Sequence, residues 1–279
     1  MVEIIYLDID GTLRDEQEGI PESAVRAMKE CRKKSIRIVI CTGRNPASIQ
    51  ADVQSLQTDG MISGCGCYIC LAGKKMKKIQ FTASKLRHIL EAAEEKNMFL
   101  SLEGETQIYM DRQAALFYQR DFSQKIIKLS PGEKEAVKAR NRIGYREGFS
   151  LFKPEKDRIH KICAWGSREA AGQLSERLKE NVQVIQKKEW NGLWYLELLP
   201  KGCSKGSAVE WVNRELGVLK ENTMSFGDSE NDIDMLEATG ISVALGNGVP
   251  ALKKIADCVC EPLLEDGIYK ELMRRKIIG

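Results

Sequence analysis

Histidine is almost missing from this chain. His88 and His160 are the two histidines in 279 residues. Neither stands beside a partner motif, so histidine-based catalysis has little to draw on, and both read as ordinary residues. Long apolar runs are missing as well: none approaches the roughly 20 residues that a membrane-spanning helix needs. A strong charge of one sign is absent. The formal net charge of +3 is too small to argue for nucleic acid or a membrane surface as a partner. No internal repeat or low-complexity segment stands out. A hydrophobic fraction of 43% and a charged fraction of 30% belong to an ordinary soluble globular chain. The first residues read as a strand rather than a signal peptide, and the expected location is cytoplasmic.

Cysteine, by contrast, is plentiful: there are nine. Without an export signal these are expected as free thiols rather than a disulfide framework. Cys65-x-Cys67-x-x-Cys70 and Cys258-x-Cys260 raise the question of zinc. The two groups lie far apart in sequence and are expected toward opposite edges of the sheet, so buried small side chains is the favoured reading.

The stretch that organises the chain is Ile4-Ile5-Tyr6-Leu7-Asp8-Ile9-Asp10-Gly11-Thr12. A short apolar run closed by a turn signal reads as a buried strand of a parallel sheet. Polar groups at the carboxyl end of such a strand sit where open α/β sheets bind ligands. Asp8 and Asp10 point the same way if strand geometry persists. Two neighbouring carboxylates then repel unless one is protonated or a cation lies between them, and Mg²⁺ is the simple remedy. A solvated turn that happens to carry two acids is the plainer alternative.

Strands and helices then alternate. Pro21 opens a helix with Ala24, Ala27, Met28 and Cys31 on one face. Residues 35–41 form a second strand running into Thr42-Gly43-Arg44. Asn45-Pro46 begins another helix with Ile49, Val53 and Leu56 on its apolar side, and residues 61–63 form a third strand. The order argues for a doubly wound parallel α/β sheet. The rhythm changes between residues 82 and 199. Leu86, Ile89, Leu90 and Ala93 mark an amphipathic helix, and residues 98–102, 107–110 and 159–165 read as strands. Ser167 caps a helix running to about residue 181. Residues 131–142 read as a charged surface excursion. Asn191-Gly192, between strands 182–190 and 193–199, is a type I′ hairpin signal. Hairpins mixed with helices suggest an α+β domain inserted into the first. The expected domains are 1–82 and 200–279 for the core and 83–199 for the insertion. The alternation returns with a helix over 207–216 capped by Gly217, a strand at 223–226, a helix over 233–239, a strand at 241–245, a helix from Pro250 and a strand at 257–260.

Four polar clusters follow apolar strands or begin helices: Asp8/Asp10, Thr42, Lys205, and Asp228/Asn231/Asp232. In a doubly wound sheet, remote strand ends meet at one crevice. Acids, a hydroxyl, an amine and an amide suit an anionic, metal-bound group, of which phosphate is the commonest. Asp8-Ile9-Asp10-Gly11-Thr12, Thr42-Gly43-Arg44, Lys205-Gly206 and Gly227-Asp228-x-x-Asn231-Asp232 resemble, in order, the four motifs of the haloacid dehalogenase (HAD) superfamily. Asn247, Glu265-Asp266-Gly267 and the insertion after the third strand resemble its Cof-type branch, with the larger α/β "C2" cap. Cys65-Gly66-Cys67 departs from that branch, which usually has Asn-Gly-Ala there. The departure is expected to bear on cap closure or the substrate pocket and not to touch the four motifs.

The resemblance implies roles. Asp8 would be the nucleophile, forming an aspartyl-phosphate. Asp10 would be general acid and then general base, its backbone carbonyl also binding Mg²⁺. Asp228 would be the other protein ligand of the metal alongside Asp8, with Asp232 holding the metal's waters or Lys205. Thr42 and Lys205 would hold phosphoryl oxygens. Asn231 would touch the phosphate or orient Asp8, and Gly43 and Arg44 would line the substrate. Plainer readings stand beside these: Thr42 as a turn cap, Lys205 as a solvated helix-start lysine, Asp232 as a helix-start acid, Arg44 as a salt-bridge partner, Asn247 as a turn residue.

The implied function is a Mg²⁺-dependent phosphatase of a small phosphorylated metabolite, sugar phosphates first, with a cap that closes, excludes water and disfavours polymers. A sugar phosphomutase is the enzymatic alternative. A phospho-accepting switch is the non-enzymatic one. Trp165, Trp190 and Trp194 are candidates for selecting the substrate, although most tryptophans in such a domain are core. Substrate identity and oligomeric state stay open.

Overall fold

The structure is a computed structural model and describes residues 1–71 and 74–279, without the side chains of residues 75, 76 and 186–188. The chain divides into two compact units. The first comprises Met1–Arg44, Gln50–Lys78 and Ser204–Gly279; the second comprises Asn45–Ile49 and Ile79–Cys203.

The first unit is built on an eight-stranded sheet. Ile4–Leu7 lies at its centre because all four of its side chains are apolar and buried, which suits a strand covered on both faces. It pairs in parallel with Thr223–Gly227 on one side and Arg37–Cys41 on the other. Beyond Thr223–Gly227 come Ile241–Ala244 and Cys258–Val259; beyond Arg37–Cys41 comes Gly60–Ser63, all parallel. The winding therefore reverses between Ile4–Leu7 and Thr223–Gly227, and the carboxyl ends of these two strands form the switch point at which doubly wound sheets bind ligands.

Two further strands, Tyr68–Leu71 and Lys74–Lys78, extend the sheet antiparallel at one edge. The lysine-rich edge strand suits its place, since charged side chains discourage pairing with another chain. The helix Glu22–Lys33 buries Ala24, Ala27, Met28 and Cys31, the face its spacing predicts. In the helix Lys205–Leu216, Ala208, Val209 and Val212 pack on Ile4, Tyr6, Val39 and Ile62. It ends at Gly217 in the left-handed conformation, as expected of a C-terminal glycine.

The second unit has a six-stranded sheet. From one edge its strands run Val182–Trp190, Leu193–Pro200, Ile159–Gly166, Phe99–Gly104, Ile108–Met110 and Arg146–Glu147. Side chains alternate between its faces, as strand geometry requires. Leu100, Leu102, Ile162, Ala164, Leu196 and Leu198 pack against the helices Ala83–Glu95 and Arg168–Leu178 through Leu86, Ile89 and Leu174. On the other face Cys163, Trp165 and Tyr195 pack against Ala114 and Ala115 of the helix Arg112–Lys125. That face also buries Lys161 between Glu103 and Glu197, at 3.4 Å from each. Asn191 and Gly192 take φ of 49° and 81°, the left-handed pair that the type I′ hairpin demands.

Two expectations need correction. Residues 131–142, expected as a charged surface excursion, contain a regular element: Pro131–Arg140 is a helix with Pro at its start and a reciprocal Ser130–Glu133 capping box. Its single buried residue is Val137, so the helix has caps but little of the apolar periodicity that would have announced it. The helix expected from Asn45 is broken into a single 3₁₀ turn at Pro46–Ser48 and a short helix at Ala51–Gln54. Asn45–Ile49 groups with the second unit, where the Asn45 amide donates to Glu103 Oε2 at 2.8 Å.

No helix among the described residues is long and apolar enough to cross a membrane. All nine cysteines are free thiols. Leu196 is fully buried between the helices and sheet of the second unit, so Leu196→Ala should destabilise the protein by about 2–5 kcal/mol in denaturant titrations. A loss within ~0.5 kcal/mol, the range of surface substitutions, would contradict this packing.

Candidate active site

The central strand stops at Leu7, and the chain then turns. The amides of Thr12, Leu13 and Arg14 converge on the Ile9 carbonyl. Strand alternation therefore lapses just where the two acids sit, and Asp8 and Asp10 enter different surroundings. This corrects the expectation that they share one direction.

Asp8 is buried. Its Oδ1 accepts from Lys205 Nζ at 2.6 Å, and the same ammonium donates to Asp232 Oδ1 at 2.6 Å and to Asn231 Oδ1 at 3.3 Å. Lys205 is the first residue of its helix and is 1% exposed, which disposes of the solvated-lysine reading. Burial disfavours its charge, but Asp232 and Asp8 outweigh that and hold it protonated.

Asp232 takes its place because its Oδ2 accepts from the backbone amides of Asp228 and Ser229 at 3.1 and 3.0 Å. It thus braces the loop after Thr223–Gly227 as well as pairing with Lys205. Asp228 is half-buried; its Oδ1 accepts from Thr12 Oγ1 at 3.0 Å. Gly11 makes that approach possible. It has φ of 84°, and a Cβ there would stand 2.3 Å from Asp228 Oδ2.

Asp8, Asp228 and Asp232 each offer an oxygen within 4.8 Å of the others, the one such acidic group among the described residues. Three carboxylates thus face one lysine. Burial first, and then Asp232, push Asp228 up to about 7. Burial also drives Asp8 upward, with Asp232, Asp228 and Asp10 adding to it and Lys205 opposing. Such a group is short of positive charge, and a divalent cation would bring it to neutrality. The donors are hard oxygens, the kind Mg²⁺ and Ca²⁺ take.

Asp10 stands apart from this trio, with a half-exposed carboxylate. Arg44 grips it with both arms of the guanidinium: Nε to Oδ2 at 2.5 Å and Nη2 to Oδ1 at 2.8 Å. Partial desolvation raises the acid, but the charge and hydrogen bonds of Arg44, with Arg14 and Lys205 behind, hold it below the usual carboxylate range. The salt-bridge reading of Arg44 therefore describes its position here.

Thr42 is buried, and its hydroxyl accepts from the Arg44 amide at 3.1 Å, so it does cap the turn. Its own O–H is left to donate elsewhere. Asn231 turns its Nδ2 toward Gly43, whose Cβ position lies 3.6 Å away. Asn247 ties loops together: Nδ2 donates to the Gly11 carbonyl at 2.7 Å and Oδ1 accepts from the Leu263 amide at 2.8 Å. Asp266 has φ of 64° and opens the helix Gly267–Arg274, a turn role.

The Cys65-Gly66-Cys67 departure lies nearer the motifs than expected. The Cys65 amide donates to the Thr42 carbonyl at 3.1 Å, and its Sγ lies 3.3 Å from the Cβ position of Gly43. Sequence reading also missed the surroundings of Asp10. Arg14, fully buried, donates through Nε to Asp52 at 2.8 Å, and Gln50 meets Arg44. Nothing in the spacing of these residues signals their convergence.

With this geometry in view, the chain can be set beside known proteins. A family profile described as haloacid dehalogenase-like hydrolase matches residues 5–272. YkrA of Bacillus subtilis (strain 168), provisionally named a phosphatase, is 27% identical over 265 residues, 95% of this chain and 94% of its own. An HMP-PP phosphatase of Klebsiella pneumoniae (strain 342) is 26% identical over 258 residues, 91% of this chain and 87% of its own. Among solved structures, BT1666 from Bacteroides thetaiotaomicron, described with phosphatases of the HAD superfamily, superposes with a TM-score of 0.79 at 25% identity, covering 100% of this chain and 96% of its own. A haloacid dehalogenase-like hydrolase from B. subtilis gives 0.81 at 23% identity, covering 98% and 99%. The four motifs, the doubly wound sheet and the profile match agree: this chain belongs to the haloacid dehalogenase-like hydrolases.

Proposed function

We propose that this hydrolase is a Mg²⁺-dependent phosphatase of small phosphorylated metabolites, working through an aspartyl-phosphate on Asp8, with sugar phosphates as the first class to test. The observation that carries the reading is the separation of two carboxylates at one switch point. Asp8 is buried against Lys205, while Asp10 is held apart by Arg44. Two acids in unlike surroundings are what an acid–base and nucleophile pair requires. The relatives named as phosphatases support phosphate ester chemistry.

Asp8 would attack phosphorus as the ester oxygen departs. Lys205, already bonded to Asp8, would keep it positioned and offset the negative charge of the incoming group. Thr42, with an O–H free to donate, and Asn231 would hold phosphoryl oxygens. Asp10, ionised beside Arg44, would take up the proton that a monoanionic phosphate ester carries and pass it to the departing alkoxide, and would then take one from the water that hydrolyses the aspartyl-phosphate. Asp8 and Asp228, the Asp10 backbone carbonyl, and Asp232 from behind would hold the metal. Bound there, Mg²⁺ would shield the nucleophile from the charge of the phosphate. The inserted second unit is the proposed source of substrate selection. Trp165 is buried among aromatic neighbours, and Trp190 donates to Asp121, so these two serve packing first.

A panel of phosphorylated metabolites should give phosphate release that requires Mg²⁺, and Asp8→Asn should abolish it while the protein still folds and unfolds in a single cooperative transition. Release that persists in the variant would refute the nucleophile. An isomeric sugar phosphate in place of free phosphate would mean a mutase. Gly11→Ala should push Asp228 out of place. Activity should fall about 10²-fold, the scale of a displacement of about 1 Å at an active site, with a folding cost of only about 1–3 kcal/mol. An unchanged rate would show that Asp228 is not used.

A further inference from the structure

The start of the short helix Ala51–Gln54 lies behind the arginines that flank Asp10. Gln50, immediately before it, is 2% exposed. The hydrogen-bond network sets its amide with the oxygen toward Arg44. That oxygen accepts from Arg44 Nη2 at 2.8 Å and from Nη1 at 3.1 Å. Arg44 presents its remaining edge, Nε and Nη2, to the two oxygens of Asp10. Two residues further on, Asp52 takes Arg14 Nε at 2.8 Å, and the backbone of Arg14 bridges to that of Asp10. One segment therefore secures both arginines.

A buried amide costs free energy unless it is hydrogen-bonded. Those two bonds to Arg44 are what the burial of Gln50 gains. A flexible arginine held only at its carboxylate end can swing, and the carboxylate swings with it. Held at both ends, the planar guanidinium fixes the carboxylate in distance and in plane.

We propose that Gln50 is a positioning residue for phosphoryl transfer: by holding Arg44 it fixes Asp10 where the leaving oxygen is protonated. The inference rests on the phosphatase reading and on Asp10 as its general acid. Gln50 touches no reacting atom and acts through Arg44.

The test turns on the leaving group. An alkoxide needs a proton to depart; nitrophenolate does not. For kcat/KM, which reports only the steps through cleavage of the ester, Gln50→Met should lower the value for glycerol phosphate about tenfold or more, a fraction of what a general acid contributes. Nitrophenyl phosphate should change by less than about twofold, since its leaving group needs no acid. The ratio of the two substrates in one preparation does not depend on how much of the variant is folded. Gln50→Glu, which keeps an oxygen facing Arg44, should restore the wild-type ratio. Equal losses on both substrates would place Arg44 on the phosphate and overturn the inference, as would an unchanged ratio in Gln50→Met. Wild-type enzyme inactive on both esters would overturn the phosphatase reading itself.

Discussion

One buried ammonium organises the site. Lys205 Nζ lies 2.6 Å from both Asp8 and Asp232, and none of the three is exposed to any extent that would let water replace a partner. Ions taken out of water must be compensated where they lie, and removing one member strands the others at a cost of about 3–5 kcal/mol. This triad therefore ties three remote parts of the chain together: the end of the central strand, the start of the helix Lys205–Leu216, and the loop after Thr223–Gly227. It leaves the acids in excess, with Asp228 beside them. That excess of acids suits a cation, which the proposed phosphate chemistry would use.

The two halves of the proposed chemistry are insulated by a break in secondary structure. Had the strand continued past Leu7, Asp8 and Asp10 would share a face and repel. The turn closed on the Ile9 carbonyl sends Asp10 to Arg44 instead. Gly11, which alone can take that backbone conformation cheaply, lets Asp228 fill the space a side chain would occupy. The division between a buried acidic group and a carboxylate held separately by Arg44 thus arises from where a strand stops.

Much of this was legible in the sequence because the relevant signals are local. The run Ile4–Leu7, the left-handed Asn191-Gly192 pair and Gly217 each announce their structure within a few residues. The four motifs could be read as parts of one place because each follows a strand or starts a helix, and the structure brings Asp8, Lys205, Asp228, Asn231 and Asp232 together. What escaped were features decided elsewhere in the fold. The helix Pro131–Arg140 is held by its caps, with Val137 its one buried side chain. The helix Arg112–Lys125 buries chiefly Ala114, Ala115 and Asp121, a weak apolar stripe. The segment after Asn45 breaks because its residues are drawn to different partners, Asn45 to Glu103 and Gln50 to Arg44. The placement of Cys65 against Gly43 and of Gln50 behind Arg44 is set by loop packing, which no periodicity encodes.

The central claim is that Asp8 carries the phosphoryl group during turnover. It is tested most directly by mixing the enzyme with substrate and Mg²⁺, quenching with acid within a turnover, and mapping the peptides by mass spectrometry. The account predicts one added phosphoryl group on the peptide containing Asp8, absent without substrate. Phosphate released in full with no modified peptide, or with the phosphoryl group on another residue, would contradict it.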